Sequence, residues 1–122
     1  MLSALVIEDN RLVAESLIQM LRVININAQT ALTPRSAILS LGEHIPDLIF
    51  LDIHLPGLDG FEILAYLHRE PRFAKIKVII VTSDDQPETY RRARSNGAAA
   101  VIIKPVSLDA LEKALRGIGS AR

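Results

Sequence analysis

Five polar side chains stand directly after short apolar runs, and their types suit phosphate chemistry. They are Glu8 and Asp9 after ALVI (4–7), Asp52 after LIFL (48–51), Thr82 after VIIV (78–81) and Lys104 after AVII (100–103). Carboxylates that pack together repel one another and their pKa values rise, unless a cation lies among them. Hard oxygen ligands with room for water suit Mg²⁺. If these runs end at one place in the fold, the residues predict a magnesium site.

We expect the three acids to bind this ion in different ways. We expect Asp9 and Asp52 to be direct ligands, because Mg²⁺ takes one or two protein carboxylates and keeps several waters. Glu8 would then act through a water molecule. Two residues past Asp52, the backbone carbonyl of His54 could add a neutral oxygen. The expected metal set is therefore Glu8, Asp9, Asp52 and the His54 carbonyl.

Such a site could bind a phosphoryl group. Lys104 and the Thr82 hydroxyl would hold its equatorial oxygens while the metal neutralises developing charge. Asp52 is the central carboxylate and can act as a nucleophile, forming an aspartyl phosphate. Phosphoryl transfer needs few other catalytic groups, since its catalysis is mostly positioning and electrostatic stabilisation.

The elements that must position these residues are strands of a parallel sheet. The four apolar runs are continuous rather than alternating, as in strands buried on both faces. The stretch NINAQT (25–30) is more polar and alternates, which is typical of an edge strand. We therefore expect an α/β, flavodoxin-like (βα)5 three-layer sandwich whose parallel sheet has the order 2-1-3-4-5. In such a sheet, ligands bind outside the carboxyl ends of the strands.

Helical patterns separate the strands. Asn10 could cap the first helix, and Thr33-Pro34 opens the second, with Ile38 and Leu41 giving its apolar side. The predicted helices cover 12–24, a segment from 34, 61–69, 87–96 and 108–117. We expect the last-but-one helix to be loosely held, because Tyr90 is its main large apolar residue.

The amino-acid composition excludes several classes of protein. The 122 residues suit one domain, and 49% are apolar, as in a globular chain. Lys plus Arg and Asp plus Glu are both 14, so no basic excess points to nucleic acid. The chain has no cysteine, which excludes disulfides and thiolate chemistry. With no signal peptide and no apolar run long enough to span a membrane, we expect a soluble cytoplasmic protein.

The residues resemble those of a known family. The pieces VIEDN, LIFLDIHLPGLDG, VIIVTSDD and IIKP occur in the order typical of the response-regulator receiver domain, the CheY-like phosphoacceptor of two-component signalling. The resemblance covers essentially the whole chain, so 1–122 is expected to be a single receiver domain. It implies that Asp52 is the phosphoacceptor and that Glu8 and Asp9 bind Mg²⁺. The bond that corresponds to Lys104–Pro105 is often cis in such domains, so we expect it to be cis here. Thr82 and Lys104 would contact the phosphoryl oxygens.

The resemblance also implies partners. A histidine kinase or phosphotransfer protein would be the phosphodonor, and a downstream protein or output domain would read the result, without direct contact to nucleic acid or membrane. A homodimer is left open. The protein would catalyse only its own phosphorylation and dephosphorylation. One position departs: Val101 stands where receivers usually carry an aromatic switch residue. The route by which the signal leaves the site is therefore open.

Other readings compete. The chain could be the first domain of a longer regulator, or a pseudo-receiver with altered output. A phosphohydrolase with an aspartate nucleophile would usually carry a second acid where His54 stands. A flavin or nucleotide module lacks support, because IEDNRL offers no glycine-rich cradle. The arginines at 91, 92 and 94 are interpreted as a solvated helix face, with a partner patch as the alternative.

Overall fold

The computed structural model describes residues 1–118 of the 122, and β and α elements alternate along them. In chain order the elements are β1 (Ser3–Ile7), α1 (Arg11–Val23), β2 (Asn27–Ala31), α2 (Pro34–Glu43), β3 (Leu48–Asp52), β4 (His54–Leu55), β5 (Leu58–Asp59), α3 (Gly60–Arg69), β6 (Lys77–Thr82), α4 (Pro87–Ser95), β7 (Ala100–Ile103) and α5 (Leu108–Gly117). None of these helices is both long and apolar enough to cross a membrane.

Five strands form one parallel sheet in the order β2-β1-β3-β6-β7. Because β6 and β7 are the fourth and fifth strands of this sheet, the predicted order 2-1-3-4-5 is confirmed. All five residues of β3 are buried at its centre, whereas three of the five in β2 are exposed at the edge. Apolar content thus decides the position of each strand, since central strands are covered on both faces.

Helices cover both faces of the sheet and create two separate cores. One core lies under α2, α3 and α4 and includes Leu51, Leu64 and Ile80. The other lies under α1 and α5 and includes Phe50 and Leu111. The side chains of each strand alternate between these two cores, as period-two geometry requires. This is the three-layer sandwich that the sequence predicted.

The helix starts follow the capping signals in the sequence. Val13 N–H donates to Asn10 Oδ1 at 3.0 Å, and Thr33 forms a reciprocal capping box with Ser36. Both predicted caps are confirmed. The apolar side of α2 was predicted wrongly at one position, because Ile38 is 67% exposed. In α2 the small residue Ala37 is buried beside Leu41, so Ile38 faces outward one position further along the turn.

A short hairpin after β3 was not predicted. Strands β4 and β5 pair antiparallel across Pro56 and Gly57, and Gly57 has φ 74°, as the second central residue of a type II turn requires. The hairpin brings Gly60 against Ile53, whose carbonyl accepts the Gly60 N–H at 3.1 Å. The hairpin therefore ties the end of β3 to the first residue of α3.

Candidate phosphoacceptor site

The carboxyl ends of four parallel strands meet at one edge of the sheet. Asp52 ends β3 and Thr82 ends β6, while Glu8 follows β1 and Lys104 follows β7. The Lys104 N–H donates to the carbonyl of Thr82 at 2.8 Å, which fixes the end of β7 beside that of β6. The fold therefore brings together four of the residues that the sequence singled out.

A buried ion-pair network forms the floor of the site. Lys104 Nζ donates to Glu8 Oε1 at 2.8 Å and to Asp52 Oδ2 at 3.4 Å. Glu8 and Asp52 are only 4% and 6% exposed, so both carboxylates have lost most of their water. The other oxygens are also bonded: Glu8 Oε2 accepts the N–H of Asn10 at 3.1 Å, and Asp52 Oδ1 accepts that of His54 at 3.0 Å. One ammonium thus faces two buried acids.

The electrostatics of the site reflect this imbalance of charge. Burial raises the pKa of Glu8, and the nearby Asp52 raises it further, outweighing the Lys104 and Asn10 hydrogen bonds that lower it. Burial alone would lower the pKa of Lys104, but the hydrogen bond to Glu8 and the charge of Asp52 raise it above its ordinary value. The lysine therefore stays a cation, and the acids still carry excess negative charge that a further cation would neutralise.

Asp9 completes a set of oxygen ligands that fits such a cation. Among residues 1–118, Glu8, Asp9 and Asp52 form a group whose ligand oxygens lie within 4.8 Å of one another. Asp9 is exposed, whereas the other two are buried, so the group opens toward solvent on one side. Three carboxylates beside open water match the donor chemistry of Mg²⁺, which keeps several of its waters. The carbonyl of His54 as a fourth ligand stays a prediction.

Thr82 lies at the start of a hydrogen-bonded chain that the sequence analysis missed. Its side chain is fully buried, and its hydroxyl oxygen accepts the N–H of Asp84 at 3.0 Å. Asp84 in turn accepts the N–H of Gln86 at 2.9 Å and the hydroxyl of Thr89 at 2.6 Å. An aspartate shortly before the Gln-Pro start of a helix is a turn signal that could have pointed to this chain.

Val101 lies against the core, and two of the α4 arginines make contacts outside their own helix. Val101 is half-buried and packs against the core under α2, α3 and α4. In α4, the Arg92 guanidinium lies 4.1 Å from the Phe61 ring centroid and 3.3 Å from Asp59. Arg94 donates to the carbonyl of Ala99. All three arginines are nevertheless exposed, so the interpretation of a solvated helix face agrees with the structure. The small apolar contact of α4 is confirmed as well, since Ala93 is its one buried residue.

A cavity of about 450 Å³ opens beside the acids, between α1 and the segment that follows β7. Its walls are mainly apolar side chains, including Leu12, Leu17 and Val106, and Asp52 and Lys104 lie at its edge. The Lys104–Pro105 bond, whose residues also line the cavity, is cis, as the resemblance implied. The site is therefore open both to solvent and to an apolar surface.

Known proteins are similar to this chain in sequence and in fold. The family model of the response regulator receiver domain matches residues 4–116. The chain is 34% identical over 77 residues to the probable methanogenesis regulatory protein FilR2 of Methanothrix harundinacea, covering 63% of this chain and 50% of that protein. It is 32% identical over 109 residues to the polar-differentiation response regulator DivK of Brucella ovis, covering 87% and 86%. The chain thus spans about half the length of FilR2 and most of DivK.

A solved structure agrees with these relatives. The signal receiver domain of the DNA binding response regulator protein merR from Colwellia psychrerythraea superposes with a TM-score of 0.89 at 30% identity, covering 98% of this chain and 99% of that one. The strand order, the acids at the strand ends and the family match all agree. The chain belongs to the family of response regulator receiver domains.

Proposed function

We propose that residues 1–122 work as one phosphoacceptor receiver domain of a two-component system, with Asp52 as the phosphorylated residue. The observation that carries this proposal is the placement of Asp52. Its carboxylate ends the buried central strand, has Lys104 Nζ at 3.4 Å, and shares an opening with Glu8 and Asp9. A carboxylate held against a cation and left open on one side suits a nucleophile for phosphoryl transfer.

The donor we propose is a phosphohistidine of a histidine kinase or phosphotransfer protein. A carboxylate oxygen of Asp52 would attack the phosphorus, and the phosphorus–nitrogen bond would break. The electron pair of that bond returns to the imidazole of the donor. The ring leaves as a neutral imidazole because its other nitrogen carries a proton before the transfer. The apolar cavity beside the site offers a surface on which the donor could dock.

Charge on the transferred group would be held by two of the chain's own groups, the Lys104 ammonium and the Thr82 hydroxyl. Lys104 already faces Asp52 and would pair with a phosphoryl oxygen. The Thr82 hydroxyl accepts a hydrogen bond from the Asp84 N–H, so its own proton is available to donate to another phosphoryl oxygen. The phosphoryl oxygens replace the charge of the Asp52 carboxylate with negative charge of their own, so the site beside Glu8 still favours a cation.

Mg²⁺ is the cofactor we propose. Glu8, Asp9 and Asp52 would hold it, together with the carbonyl of His54. When bound, the ion supplies positive charge that offsets the negative charge of the acids and of a phosphoryl group. Since Asp9 is the exposed member of the set, it is the ligand that an arriving ion reaches first.

We propose a signalling role rather than turnover of external substrates. Receiver domains are signalling proteins, and the chemistry expected here is limited to phosphorylation and dephosphorylation of Asp52 itself. The output would be contact with a downstream protein or an output domain in the cytoplasm, rather than with nucleic acid or a membrane. The equal numbers of acidic and basic residues support a protein partner.

Incubation with acetyl phosphate and Mg²⁺, followed by phosphate-affinity electrophoresis and intact mass measurement, tests the proposal. The wild type should gain one phosphoryl group that alkaline hydroxylamine removes, and Asp52→Asn should gain none. Asp85→Asn is the matched control, because Asp85 is an exposed aspartate outside the site, and it should behave as wild type. Beryllofluoride with Mg²⁺ gives a second readout. A wild type that takes neither group, from these reagents or from a cognate kinase, would refute the proposal.

A further inference from the structure

Helix α2 presents an apolar surface to solvent. Ile38 and Leu39 are 67% and 62% exposed, and Ile45, just past the end of the helix, is 48% exposed. The opposite side of α2 is also apolar, since Ala37 and Leu41 are buried in the core. A helix with apolar residues on all sides is usually buried all round. The outer side of α2 therefore has the composition of a surface that another element covers.

The exposed residues of α2 form one continuous stripe. Its members are spaced i, i+3, i+4 and i+7, which places them along one side of the helix. They are Arg35, Ile38, Leu39 and Gly42. A Cβ at Gly42 would have no atom within 4 Å, so a partner helix can approach the stripe closely at that point.

The charges at the two ends of α2 have the wrong sign for their own helix. A helix carries partial positive charge at its N-terminus and partial negative charge at its C-terminus. Arg35 is the second residue of α2 and Glu43 is the last, so each lies beside helix charge of its own sign. Neither side chain forms an ion pair with another residue among 1–118. By contrast, α3, α4 and α5 each carry an acid in the first turn and a base in the last.

We propose that the outer side of α2 is an interface with a second copy of this chain, in which the two α2 helices pack antiparallel across a two-fold axis near Leu39. Arg35 and Glu43 lie four residues before and after Leu39, so this axis sets Arg35 of each copy beside Glu43 of the other. Each charge then faces an opposite charge and the partner helix end of opposite sign. The exposed aliphatic side chains of the two copies cover one another between these ion pairs.

The size of the stripe predicts a weak dimer. Helix α2 has 10 residues and is therefore roughly 15 Å long. An interface confined to one side of it is much smaller than the roughly 800 Å² per partner that stable complexes bury. We expect a dissociation constant on the order of 10⁻⁴ M, as in weak complexes.

The proposed dimer leaves both acid sites open. The Glu8 N–H donates to the carbonyl of Ala31 at 3.1 Å, so the end of β2 lies at the same edge of the sheet as the acids. Helix α2 begins three residues later, at Pro34, and its N-terminus therefore lies at that edge too. Antiparallel α2 helices place the two edges at opposite ends of the pair. Neither copy then covers Asp52 of the other, and the interface does not rest on the proposed function.

Sedimentation equilibrium of the full chain from about 10 µM to about 1 mM tests the interface. Wild type should show a monomer–dimer equilibrium. Leu39→Ser removes apolar contact at the axis and should raise the dissociation constant by about tenfold or more. Val23→Ser is the matched control, because Val23 is 69% exposed at the end of α1, and it should associate as wild type does. Circular dichroism checks that each variant is folded.

Reversal of the end charges tests whether the partner is a second copy. Arg35→Glu alone and Glu43→Arg alone set like charges against one another across the axis, and each should raise the dissociation constant about tenfold at low salt. The double variant Arg35→Glu/Glu43→Arg restores opposite charges and should recover association. An equimolar mixture of the two single variants should associate more tightly than either variant alone. Glu15→Arg, a reversal at an exposed position of α1, should have no effect.

The possible outcomes are distinct. A wild type that stays monomeric up to about 1 mM refutes the second copy as the partner. A dimer that Leu39→Ser and the single charge reversals leave unchanged forms through another surface and refutes the interface. If neither the double variant nor the mixture recovers association, the antiparallel arrangement is wrong. Weaker association in Leu39→Ser and the single reversals, recovery in the double variant and the mixture, and unchanged controls support the proposal.

Discussion

Replacement of Gly60 by alanine should damage both the fold and the site. A Cβ at this position would lie 2.4 Å from the Cα of Ile53 and 2.9 Å from its carbonyl oxygen, whereas ordinary contact begins at 3.4 Å. The atoms that clash belong to the backbone, so no side-chain rotation can relieve the contact. The start of α3 and the end of β3 would have to separate by roughly 1 Å.

The magnitude follows from the contacts that this separation breaks. Overpacking of a buried position costs about 1–3 kcal/mol, and a clash with backbone lies at the upper end. The hydrogen bond from Gly60 N–H to the Ile53 carbonyl, 3.1 Å long, would stretch at a cost of about 1 kcal/mol. The lower chain entropy of unfolded alanine offsets about 1 kcal/mol. The free energy of unfolding should therefore fall by about 3 kcal/mol.

The site should respond as well, because the displaced segment carries the His54 N–H that donates to Asp52. A misplacement of about 1 Å near reacting groups can lower a rate roughly 100-fold. Phosphorylation of the folded Gly60→Ala protein by acetyl phosphate should accordingly be 10- to 100-fold slower than in wild type, as roughly estimated from that effect.

Two other glycines provide matched controls in urea denaturation followed by circular dichroism. A Cβ at Gly57 would have no atom within 4 Å, but φ is 74°, so Gly57→Ala should cost about 1 kcal/mol through backbone strain alone. Gly42 lies in α2 with open space around it, and Gly42→Ala should gain about 0.5 kcal/mol from helix propensity. If Gly60→Ala were as stable as Gly57→Ala, the steric reasoning would be refuted.

Two further predictions concern α4 and the buried acid. Arg92→Ala should lower the free energy of unfolding by about 1 kcal/mol, because it removes the contact with Phe61 and a half-exposed ion pair with Asp59. Arg91→Ala loses only an exposed ion pair and should cost less than about 0.5 kcal/mol in the same urea titration. Equal losses in the two variants would contradict the stabilising role of the Arg92 contacts. Since burial raises the pKa of Glu8, the folded state holds its proton more tightly than the unfolded chain; this contribution to stability is fully present below pH 4.5, the ordinary value, and is lost as pH rises through the raised pKa. Without Mg²⁺, the stability of wild type should therefore decline relative to Glu8→Gln as pH rises above 4.5, and parallel pH profiles would contradict the raised pKa of Glu8.

Much of the fold and of the site could be predicted from the sequence because both depend on local patterns. Continuous apolar runs identify buried strands, and a polar second strand belongs at the edge of the sheet. The residue that follows each run then lies at the carboxyl edge, so Asp52 and Lys104 could be placed together before any contact was known. The caps at Asn10 and Thr33 are equally local, since each depends on residues within one turn.

What could not be predicted depends on contacts between distant residues or on small differences in volume. Ile38 faces outward because α2 buries Ala37 and Leu41 instead, and the spacing of apolar residues does not tell which of the neighbours 37 and 38 is buried. The Arg92 contact with Asp59 joins residues 33 apart, and the sequence offers no sign of it. Glu8 was expected to reach the metal through a water molecule. Its hydrogen bond to Lys104 could be found only once the ends of β1 and β7 were positioned.

The division of the interior into two cores affects which amino-acid substitutions the chain can accept during evolution. The core under α1 and α5 and the core under α2, α3 and α4 share no side chain among the described residues, because each strand residue serves one face only. Substitutions more than about 7–10 Å apart, without common neighbours, usually have additive effects on stability. The face that carries the apolar cavity and the face that carries α4 can therefore acquire new residues independently. The strand ends, where Asp52 and Lys104 meet, are bound to both faces and are the least free to vary.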